Sequence, residues 1–578
     1  MTDKELKKLK DDLWYAADTL RQGAHLAANK YGQPILGLVF LRYADILYKQ
    51  HKSEIEAEYE KKKGTRSERS IKDISIEKCG FFLPECAYFD NINNAPDDAR
   101  KATLVKQAME KIEEENPKMA GVLPKDVYGG LIPEEEPELL SKIVRVFKDI
   151  PENISIDLFG EIYEYFLGNF ALSEGKDGGT FYTPATVVQY MVEVLQPTSG
   201  DKQFLDPACG SGGMFVQAAR YMHKHNKGDE IRNYMCYGVE KEPDTVKLAK
   251  MNLLLNNVRG QIIEANSFYS DPYNAYGRFD YVMANPPFNV DEVVLEKVEG
   301  DIRFNEYGIP AKKSKSAKKE GDKKETVPNA NYLWISYFAT ALNKTGKAAL
   351  VMANSASDAG NTEKDIREKM IKAGIIKQMV TLPSNMFTSV TLPATLWFFD
   401  KEKCNSDKKD EILFIDARNV FTQIDRAHRK FSEEQIKNLT VISRLYEGNT
   451  QALVDLLNEY KEEMNNAPVE RNEQNPKNKA YFQEQIDWLK ERFPNGVYKD
   501  VIGLCKVAKI DGEDGIEEND FSLNAGRYVG VVVEDDGMTE EGFKAHIQKL
   551  NSELEKLNEE AIDLKKGITL NVKGLFGE

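Results

Sequence analysis

The chain has 578 residues, enough for about four domains of ordinary size. Apolar residues make up 41% and charged residues 30%, which is typical of a folded globular protein and excludes a disordered or collagen-like chain. Lys and Arg number 78 against 94 Asp and Glu, and the net charge of −16 excludes a protein that coats nucleic acid with a uniformly basic surface.

Cysteine content and the first residues indicate the compartment. The six cysteines are too few for a disulfide framework and form no CxxC pair, which favours a reducing cytoplasm. The first residues are charged and lack the apolar core of a signal peptide, and no run of about 18 apolar residues occurs. The six histidines show no metal-ligand spacing. We therefore expect a cytoplasmic protein without a membrane segment or a metal site.

The first 150 residues have the pattern of a helical domain. Between residues 6 and 50 apolar residues recur at helical spacing, for example Leu13, Ala16, Ala17 and Leu20. From residue 94 to 150 the pattern is that of short helices separated by prolines. We predict a helical N-terminal domain over residues 1–150.

A different pattern begins after Pro197, where short β-rich runs alternate with amphipathic stretches. This alternation is typical of a parallel sheet that is covered by helices on both faces. We predict a doubly wound α/β domain over residues 151–418, with a seven-stranded sheet. The predicted strands cover residues 202–206, 235–240, 260–266, 279–285, 347–353, 375–382 and 395–400.

The segments outside the predicted strands are polar. Residues 312–324 carry seven lysines against two acidic residues, which predicts a solvated loop to which the sequence assigns no role. Beyond residue 418 the chain becomes mostly helical, and we predict a helical region over residues 419–538.

Residues 539–578 form a separate predicted element, a helix with a heptad pattern. Its apolar residues alternate between spacings of four and three, so that only one face of the helix is apolar. We predict that this face binds a helix of another subunit, with docking onto the chain's own domain as the alternative. The heptad positions are Phe543, Ile547, Leu550, Leu554, Leu557, Ala561, Leu564 and Ile568.

The first predicted strand runs directly into a glycine-rich turn, which we call the glycine turn, residues 207–213. Glycines at a strand-to-helix turn let the backbone approach a ligand closely at the carboxyl edge of the sheet. The pattern is not GxGxxG, and tight packing of the helix is the alternative explanation. We predict a cofactor site whose residues include Asp206, Pro207, Gly210, Ser211 and Gly212.

The second predicted strand also ends in a carboxylate, Glu240. An acidic residue here is suited to accept hydrogen bonds from two ribose hydroxyl groups, so Asp206 and Glu240 together indicate a nucleoside-containing cofactor. A capping role for the helix that begins near Asp244 is the alternative. We place Asn266, at the end of the third strand, in the same cofactor site.

The fourth predicted strand ends in the sequence Asn285-Pro286-Pro287-Phe288. The two prolines lack backbone donors and hold the residues before them extended. The Asn285 side-chain oxygen and the Pro286 carbonyl are then suited to accept both hydrogens of an exocyclic amine, and the Phe288 ring offers a stacking face. We predict that these four residues form the catalytic site, with an ordinary loop at a strand end as the alternative.

Together, DPACGSGGM at 206–214 and NPPF at 285–288 resemble the amino-methylating DNA methyltransferases that use S-adenosylmethionine. Further segments resemble the modification subunit of type I restriction-modification systems: LGLVFLRYAD, ANYLWI at 330–335, LPSNMF at 382–387 and LNAGRYVG at 523–530. A segment before the first strand is similar to the one that closes over the methionine end of the cofactor. Its residues are Gly179, Thr180, Phe181, Tyr182, Thr183 and Pro184.

The resemblance implies transfer of the sulfonium methyl group to the N6 atom of a flipped adenine in double-stranded DNA. It also implies a separate specificity subunit that selects the target sequence and a restriction subunit in the full complex. The acidic composition agrees with this division, because a chain that leaves base reading to a partner needs only a limited groove around Phe288.

Three other functions remain open at this stage. A protein-glutamine methyltransferase or an RNA methyltransferase could use the same NPP geometry, although the length and the flanking helical domains argue against both. A scaffold without catalytic activity is the third, and the presence of Asp206, Glu240, Asn285 and Phe288 argues against it.

Overall fold

The structure is a computed structural model that describes residues 3–23, 28–130, 138–154, 156–174, 183–198, 200–225, 234–310, 325–387, 393–426, 428–470, 477–532 and 539–576. Residues 179–182 and the lysine-rich segment 312–324 of the sequence analysis lie outside these ranges. The chain divides into two compact units, residues 1–529 and residues 530–578. Within the described ranges, no helix combines the length and apolar character that a membrane crossing requires.

The amino-terminal region is helical, as the sequence predicts. Its helices are α1 (Asp3–Gly23), α2 (Ala28–Lys62), α3 (Ile71–Cys79), α4 (Phe89–Asn93), α5 (Asp98–Glu115), α6 (Leu139–Lys148) and α7 (Ile156–Glu174). Helix α2 supplies a nearly continuous buried stretch from Ile35 to Leu47. The guanidinium of Arg42, which is 1% exposed, donates hydrogen bonds to Asp45 and to the Ile150 carbonyl. Its burial is therefore compensated by a charged partner and a backbone acceptor.

The seven predicted strands all form, and two further strands extend the main sheet. The strands are β1 (Gln203–Asp206), β2 (Met235–Glu240), β3 (Gly260–Glu264), β4 (Phe279–Ala284), β5 (Val293–Val294), β6 (Thr326–Val327), β7 (Leu342–Ala353), β8 (Ile376–Thr381), β9 (Ala394–Asp400), β10 (Glu411–Asp416), β11 (Thr422–Gln423), β12 (Arg429–Lys430) and β13 (Cys505–Lys509). The pairs β5–β6 and β11–β12 form small separate sheets.

The main sheet has the order β13-β10-β8-β9-β7-β4-β1-β2-β3. Strands β3, β2, β1, β4 and β7 are parallel to their neighbours in this series, while β9 runs antiparallel to both β7 and β8. The order reverses at β1, which lies between β2 and β4. In an open α/β sheet such a reversal opens a crevice at the carboxyl ends of the strands.

Helices cover both faces of this sheet. They are α8 (Ala185–Leu195), α9 (Gly213–His225), α10 (Pro243–Leu255), α11 (Ile302–Asn305), α12 (Asn331–Ala341), α13 (Asn361–Lys372), α14 (Glu433–Glu447), α15 (Gln451–Asn466) and α16 (Lys479–Arg492). Successive strand residues belong to different cores: Phe204 packs in one and Leu205 in the other. This alternation follows from the two-residue period of a strand and confirms the doubly wound architecture.

Strands β10 and β13 were not predicted. β10 joins β8 in parallel, and β13 pairs with it antiparallel, with Leu413 opposite Val507. Because β13 is only five residues long and its partner lies far away in sequence, no local pattern marked it as a strand. The region from 419 to 538 therefore combines the predicted helices, α14 to α16, with one strand of the sheet.

The second compact unit contains a single described helix, α17 (Glu540–Phe576), which is 37 residues and thus about 56 Å long. The predicted heptad residues lie on this helix, and seven of the apolar ones are between 47% and 68% exposed: Phe543, Ile547, Leu550, Leu554, Leu557, Leu564 and Ile568.

Candidate active site

A pocket lies where the strand order reverses, at the carboxyl ends of β1 and β4. Asp206 is the last residue of β1, and Asn285 directly follows β4. The empty space, open solvent at its mouth included, is about 560 Å³. The lining residues are Glu164, Leu167, Thr183, Ala185, Val188, Asp206, Ala208, Cys209, Gly210, Ser211, Gly213, Met214, Gln217, Asn252 and Asn285. The fold thus joins three predicted site segments, around Thr183, Asp206 and Asn285.

The glycine turn forms one wall of the pocket. Gly210 and Gly212 have φ values of +51° and +78°, a conformation that side chains with a Cβ rarely adopt. A Cβ on Gly212 would also lie 2.8 Å from the Leu253 side chain of α10. The Cys209 N–H donates to the Val239 carbonyl of β2 at 3.0 Å, and the Asn252 side chain donates to the Ser211 carbonyl at 2.8 Å. The turn is therefore held from both sides in a shape that requires glycine.

Asp206 brings a buried carboxyl group to the pocket. The residue is 1% exposed, and its Oδ1 accepts a hydrogen bond from the Ala208 N–H at 3.0 Å. Burial raises the pKa of Asp206 well above its ordinary value, and the nearby Glu240 carboxylate adds to this effect. A cationic ligand group would stabilise the ionised form of this side chain.

Glu240, the last residue of β2, accepts hydrogen bonds from three backbone N–H groups. Its Oε2 accepts the Gly210 N–H at 3.0 Å, and its Oε1 accepts the N–H groups of Lys241 and Glu242 at 2.7 and 2.9 Å. The carboxylate therefore ties the end of β2 to the glycine turn and to the segment before α10. Its hydrogen bonds to ribose remain a prediction.

Several other predicted residues lie near the pocket but are not among the residues that line it. The Asn266 Oδ1 accepts the Phe268 N–H at 3.0 Å within a local turn. Pro184 directly precedes α8, and the Pro207 carbonyl accepts the Ser267 hydroxyl at 2.5 Å. Gly212 lies in the glycine turn on the side that faces α10, where its lack of a side chain leaves room for Leu253. The described structure thus tests neither the cofactor role of these residues nor that of Gly179, Thr180, Phe181 and Tyr182.

The Asn285 carboxamide is oriented by a neighbour on the opposite side of the pocket. Its Nδ2 donates to the Thr183 hydroxyl oxygen at 3.0 Å. Its Oδ1 is buried and has no hydrogen-bond partner among the described residues. An unpaired buried acceptor costs about 1–3 kcal/mol, so its presence calls for an explanation such as a ligand donor.

The loop after Asn285 is fixed by a group of asparagines that the sequence analysis did not select. The Asn289 N–H donates to the Asn331 Oδ1 at 2.8 Å, and the Asn331 Nδ2 donates to the Asn289 Oδ1 at 2.9 Å. Asn329 donates to the same Asn289 oxygen at 3.1 Å. Pro286 is buried and Pro287 partly buried in this loop, and the Phe288 ring packs against both cores of the sheet. In the sequence, the segment ANYLWI, which contains Asn331, was the feature that could have indicated its contact with Asn289.

Glu164 of α7 lines the pocket, and the sequence analysis did not select it. Arg220 donates to its carboxylate at 2.7 Å and Gln217 at 3.2 Å, both from α9. Burial raises the pKa of Glu164, although Arg220 opposes this shift. The one sequence signal is a carboxylate placed between aromatic residues in a helical stretch, which surface exposure would explain equally well.

Two family models match the chain. The model described as N-6 DNA Methylase covers residues 154–452, a range that contains every residue lining the pocket. The model described as HsdM N-terminal domain covers residues 9–147.

Two curated relatives match over most of their own length. The MjaIX methylase subunit of a type I restriction enzyme from Methanocaldococcus jannaschii is 31% identical, over 97% of this chain and 90% of the relative. The HindI methylase subunit from Haemophilus influenzae is 30% identical, over 88% of this chain and 98% of the relative. A crystal structure of a type I restriction-modification methyltransferase subunit from Streptococcus thermophilus shares the fold, with a TM-score of 0.66, 19% identity and coverage of 91% of this chain and 99% of that one.

Proposed function

The chain belongs to the N-6 DNA methylase family, among the methylase subunits of type I restriction enzymes, and we propose that its pocket binds S-adenosylmethionine and aligns it with an adenine amine. Its activity is the methylation of adenine N6 in DNA. The observation that carries the proposed site is the buried Asn285 oxygen without a partner beside the glycine turn.

The residues of the pocket fit S-adenosylmethionine. Gly210 lines the pocket without a side chain, so a ligand can approach the backbone of the turn closely there. The Asp206 carboxyl group is buried without a cation beside it among its described contacts, so the ammonium or sulfonium charge would be complementary. Glu164 of α7 and Thr183 before α8 line the pocket from two other elements, and Ser211 lines it from the turn itself. Residues 179–182, Pro184 and Asn266 are proposed to complete the cofactor site.

The amine-accepting role is assigned to Asn285 and Pro286. The adenine amine is a weak nucleophile because its lone pair is delocalised into the ring. Acceptors at both of its hydrogens, the Asn285 Oδ1 and the Pro286 carbonyl, favour the pyramidal form and stabilise the positive charge that develops on nitrogen. Bound S-adenosylmethionine supplies an activated methyl group, so alignment replaces the need for a strong base.

Phe288 is assigned to hold the target base, with Pro287 fixing the backbone before it. Its ring lies at the junction of the two cores, directly after the prolines of the loop. A ring at this position would stack on a base that has left the duplex, which offsets part of the cost of unstacking it. Asn331 holds the loop and thereby the position of this ring.

We further propose the partners. The target is an adenine flipped from double-stranded DNA, a specificity subunit selects its sequence, and a restriction subunit completes the assembly. The net charge of −16 supports this division, because a chain with this composition is poorly suited to bind long stretches of DNA alone. The exposed apolar residues of α17 are the proposed surface for the specificity subunit.

The test is methyl transfer by an Asn285→Ala variant in complex with its specificity subunit. We expect the single-turnover rate of tritiated-methyl transfer to fall roughly 10²- to 10³-fold, because the lost acceptor acts mainly in the transition state. Calorimetry should show unchanged S-adenosylmethionine binding. Asn458→Ala, at an exposed position on α15, is the matched control and should retain the parental rate.

Rates of Asn285→Ala within threefold of the parent would contradict the proposed site. Methylation of RNA or of a protein glutamine in preference to DNA would instead favour the other enzymatic candidates. A parent complex that transfers no methyl group to any of these acceptors would favour the scaffold.

A further inference from the structure

Thr183 lies at the start of α8, in the segment that the sequence analysis assigned to the cofactor. Its hydroxyl oxygen accepts a hydrogen bond from the Asn285 Nδ2 at 3.0 Å. We infer that Thr183 is a positioning residue for methyl transfer: it holds the Asn285 carboxamide with its oxygen free to accept from the target amine. The inference rests on the proposed function, since it assumes that Asn285 accepts from the adenine.

The orientation of this carboxamide decides whether it can perform that role. A carboxamide has an acceptor on one side and two donors on the other, and rotation by about 180° exchanges them. An amine that must donate its hydrogens requires the oxygen, whereas the NH₂ group would oppose it with another donor. Because the Oδ1 has no partner among the described residues, the bond to Thr183 is the side-chain contact there that distinguishes the two orientations.

The backbone around Thr183 is restricted, which holds its hydroxyl group in place. It precedes Pro184, and a residue before proline is restricted to extended conformations. Pro184 leads directly into α8, whose residues Val187, Tyr190 and Met191 are buried in the core of the sheet. The acceptor therefore lies two residues before a packed helix, while Asn285 directly follows a central strand. Their hydrogen bond joins the ends of two packed elements at the pocket.

This geometry separates the role of Thr183 from that of a cofactor ligand. A side chain that only binds S-adenosylmethionine affects the cofactor dissociation constant. A side chain that orients Asn285 affects the transfer step, in which the amide oxygen is needed, and leaves the cofactor dissociation constant unchanged.

The experiment replaces Thr183 by valine, which has the same shape but cannot accept a hydrogen bond. In the complex with the specificity subunit, we expect the single-turnover rate of methyl transfer to fall about tenfold, the upper range for one neutral hydrogen bond. Calorimetry should show a cofactor dissociation constant within about twofold of the parent. Thr183→Ser, which keeps the hydroxyl, should restore most of the rate.

Thr186→Val is a matched control on the same helix. The Thr186 hydroxyl is buried and has no hydrogen-bond partner among the described residues, so the same substitution removes no such bond there. We expect its rate and its cofactor binding to equal those of the parent. A loss in this variant equal to that of Thr183→Val would assign the effect to general disturbance of α8 and overturn the inference.

A double variant tests the coupling directly. In the Asn285→Ala background, Thr183→Val should cause no further loss, because the group that it orients is already absent. Additive losses, an equal loss in Thr183→Ser, or a cofactor dissociation constant weakened as much as the rate would each overturn the inference. If the proposed function were wrong, the result would differ: Asn285→Ala alone would retain the parental rate of methyl transfer.

Discussion

Asp206 shows how a single buried group can report on cofactor binding. Its carboxyl group lines the pocket at 1% exposure, and burial raises its pKa. In the free protein the protonated form therefore persists at pH values where an ordinary aspartate, with a pKa of about 3.9, is ionised. A cation bound nearby favours the ionised form and lowers this pKa again.

We therefore predict that S-adenosylmethionine binding releases a proton above about pH 5, where an ordinary aspartate has already lost its own. The sign follows from linkage: because the free carboxyl group must ionise, affinity rises with pH, by up to about tenfold per unit, until the raised pKa is passed. Calorimetry in two buffers of different ionisation heat counts the protons. Asp206→Asn should bind more weakly and without this pH dependence. Proton release that persists unchanged in Asp206→Asn would assign it to another group.

At the scale of elements, α17 is a long helix with one apolar face. Its seven large heptad residues between Phe543 and Ile568 are at least 47% exposed, and charged residues lie next to them in the sequence. Burial of apolar surface stabilises a complex by roughly 25 cal/mol per Å². A helix of another subunit that packs against this face would therefore stabilise the complex.

We predict that truncation after Gly537 leaves cofactor binding at the parental level but abolishes co-purification with the specificity subunit and sequence-directed DNA methylation. Sedimentation analysis of the mixed subunits measures assembly. A matched variant that keeps the helix but places Lys at Leu550 and Leu557 should fail in the same way, since charge on the apolar face opposes burial. Assembly of the truncated chain at parental affinity would assign this face to packing within the chain.

In the first unit, the core of the amino-terminal helices extends onto helix α10 of the sheet domain. Met251 and Leu255 of α10 are buried in the core of the amino-terminal helices, and Arg220 of α9 pairs with Glu164 of α7 at 2.7 Å. The pocket itself takes Glu164 and Leu167 from α7, which packs on α2. Residues 1–150 therefore support the site, although none of those that the structure describes lines it.

We predict that a chain lacking residues 1–150 loses S-adenosylmethionine binding by tenfold or more, although every motif residue is retained. Removing these helices exposes the apolar sides of α7 and α10 and releases the wall that carries Glu164. Calorimetry measures binding, and the truncation after Gly537 is the control of comparable design. Binding within threefold of the parent would show that the pocket is independent of the amino-terminal helices.

Features that depend on local residue patterns could be predicted from the amino-acid sequence alone. The seven strands, the glycine turn after Asp206 and the Asn285–Phe288 loop are short continuous segments whose residue types restrict their own backbone, so they could be predicted without a partner. Motifs at the ends of parallel strands also meet at one edge of the sheet, which brought Asp206 and Asn285 into one predicted site.

The side-chain contacts around the pocket, in contrast, depend on how distant segments pack together. The bond of Thr183 to Asn285, the asparagine contacts around Asn331 and the place of Glu164 each join segments far apart in sequence. The pairing of β13 with β10 is of the same kind. Such contacts arise from the packing of whole helices and strands, and a short polar segment has no periodic pattern that reveals its distant partner.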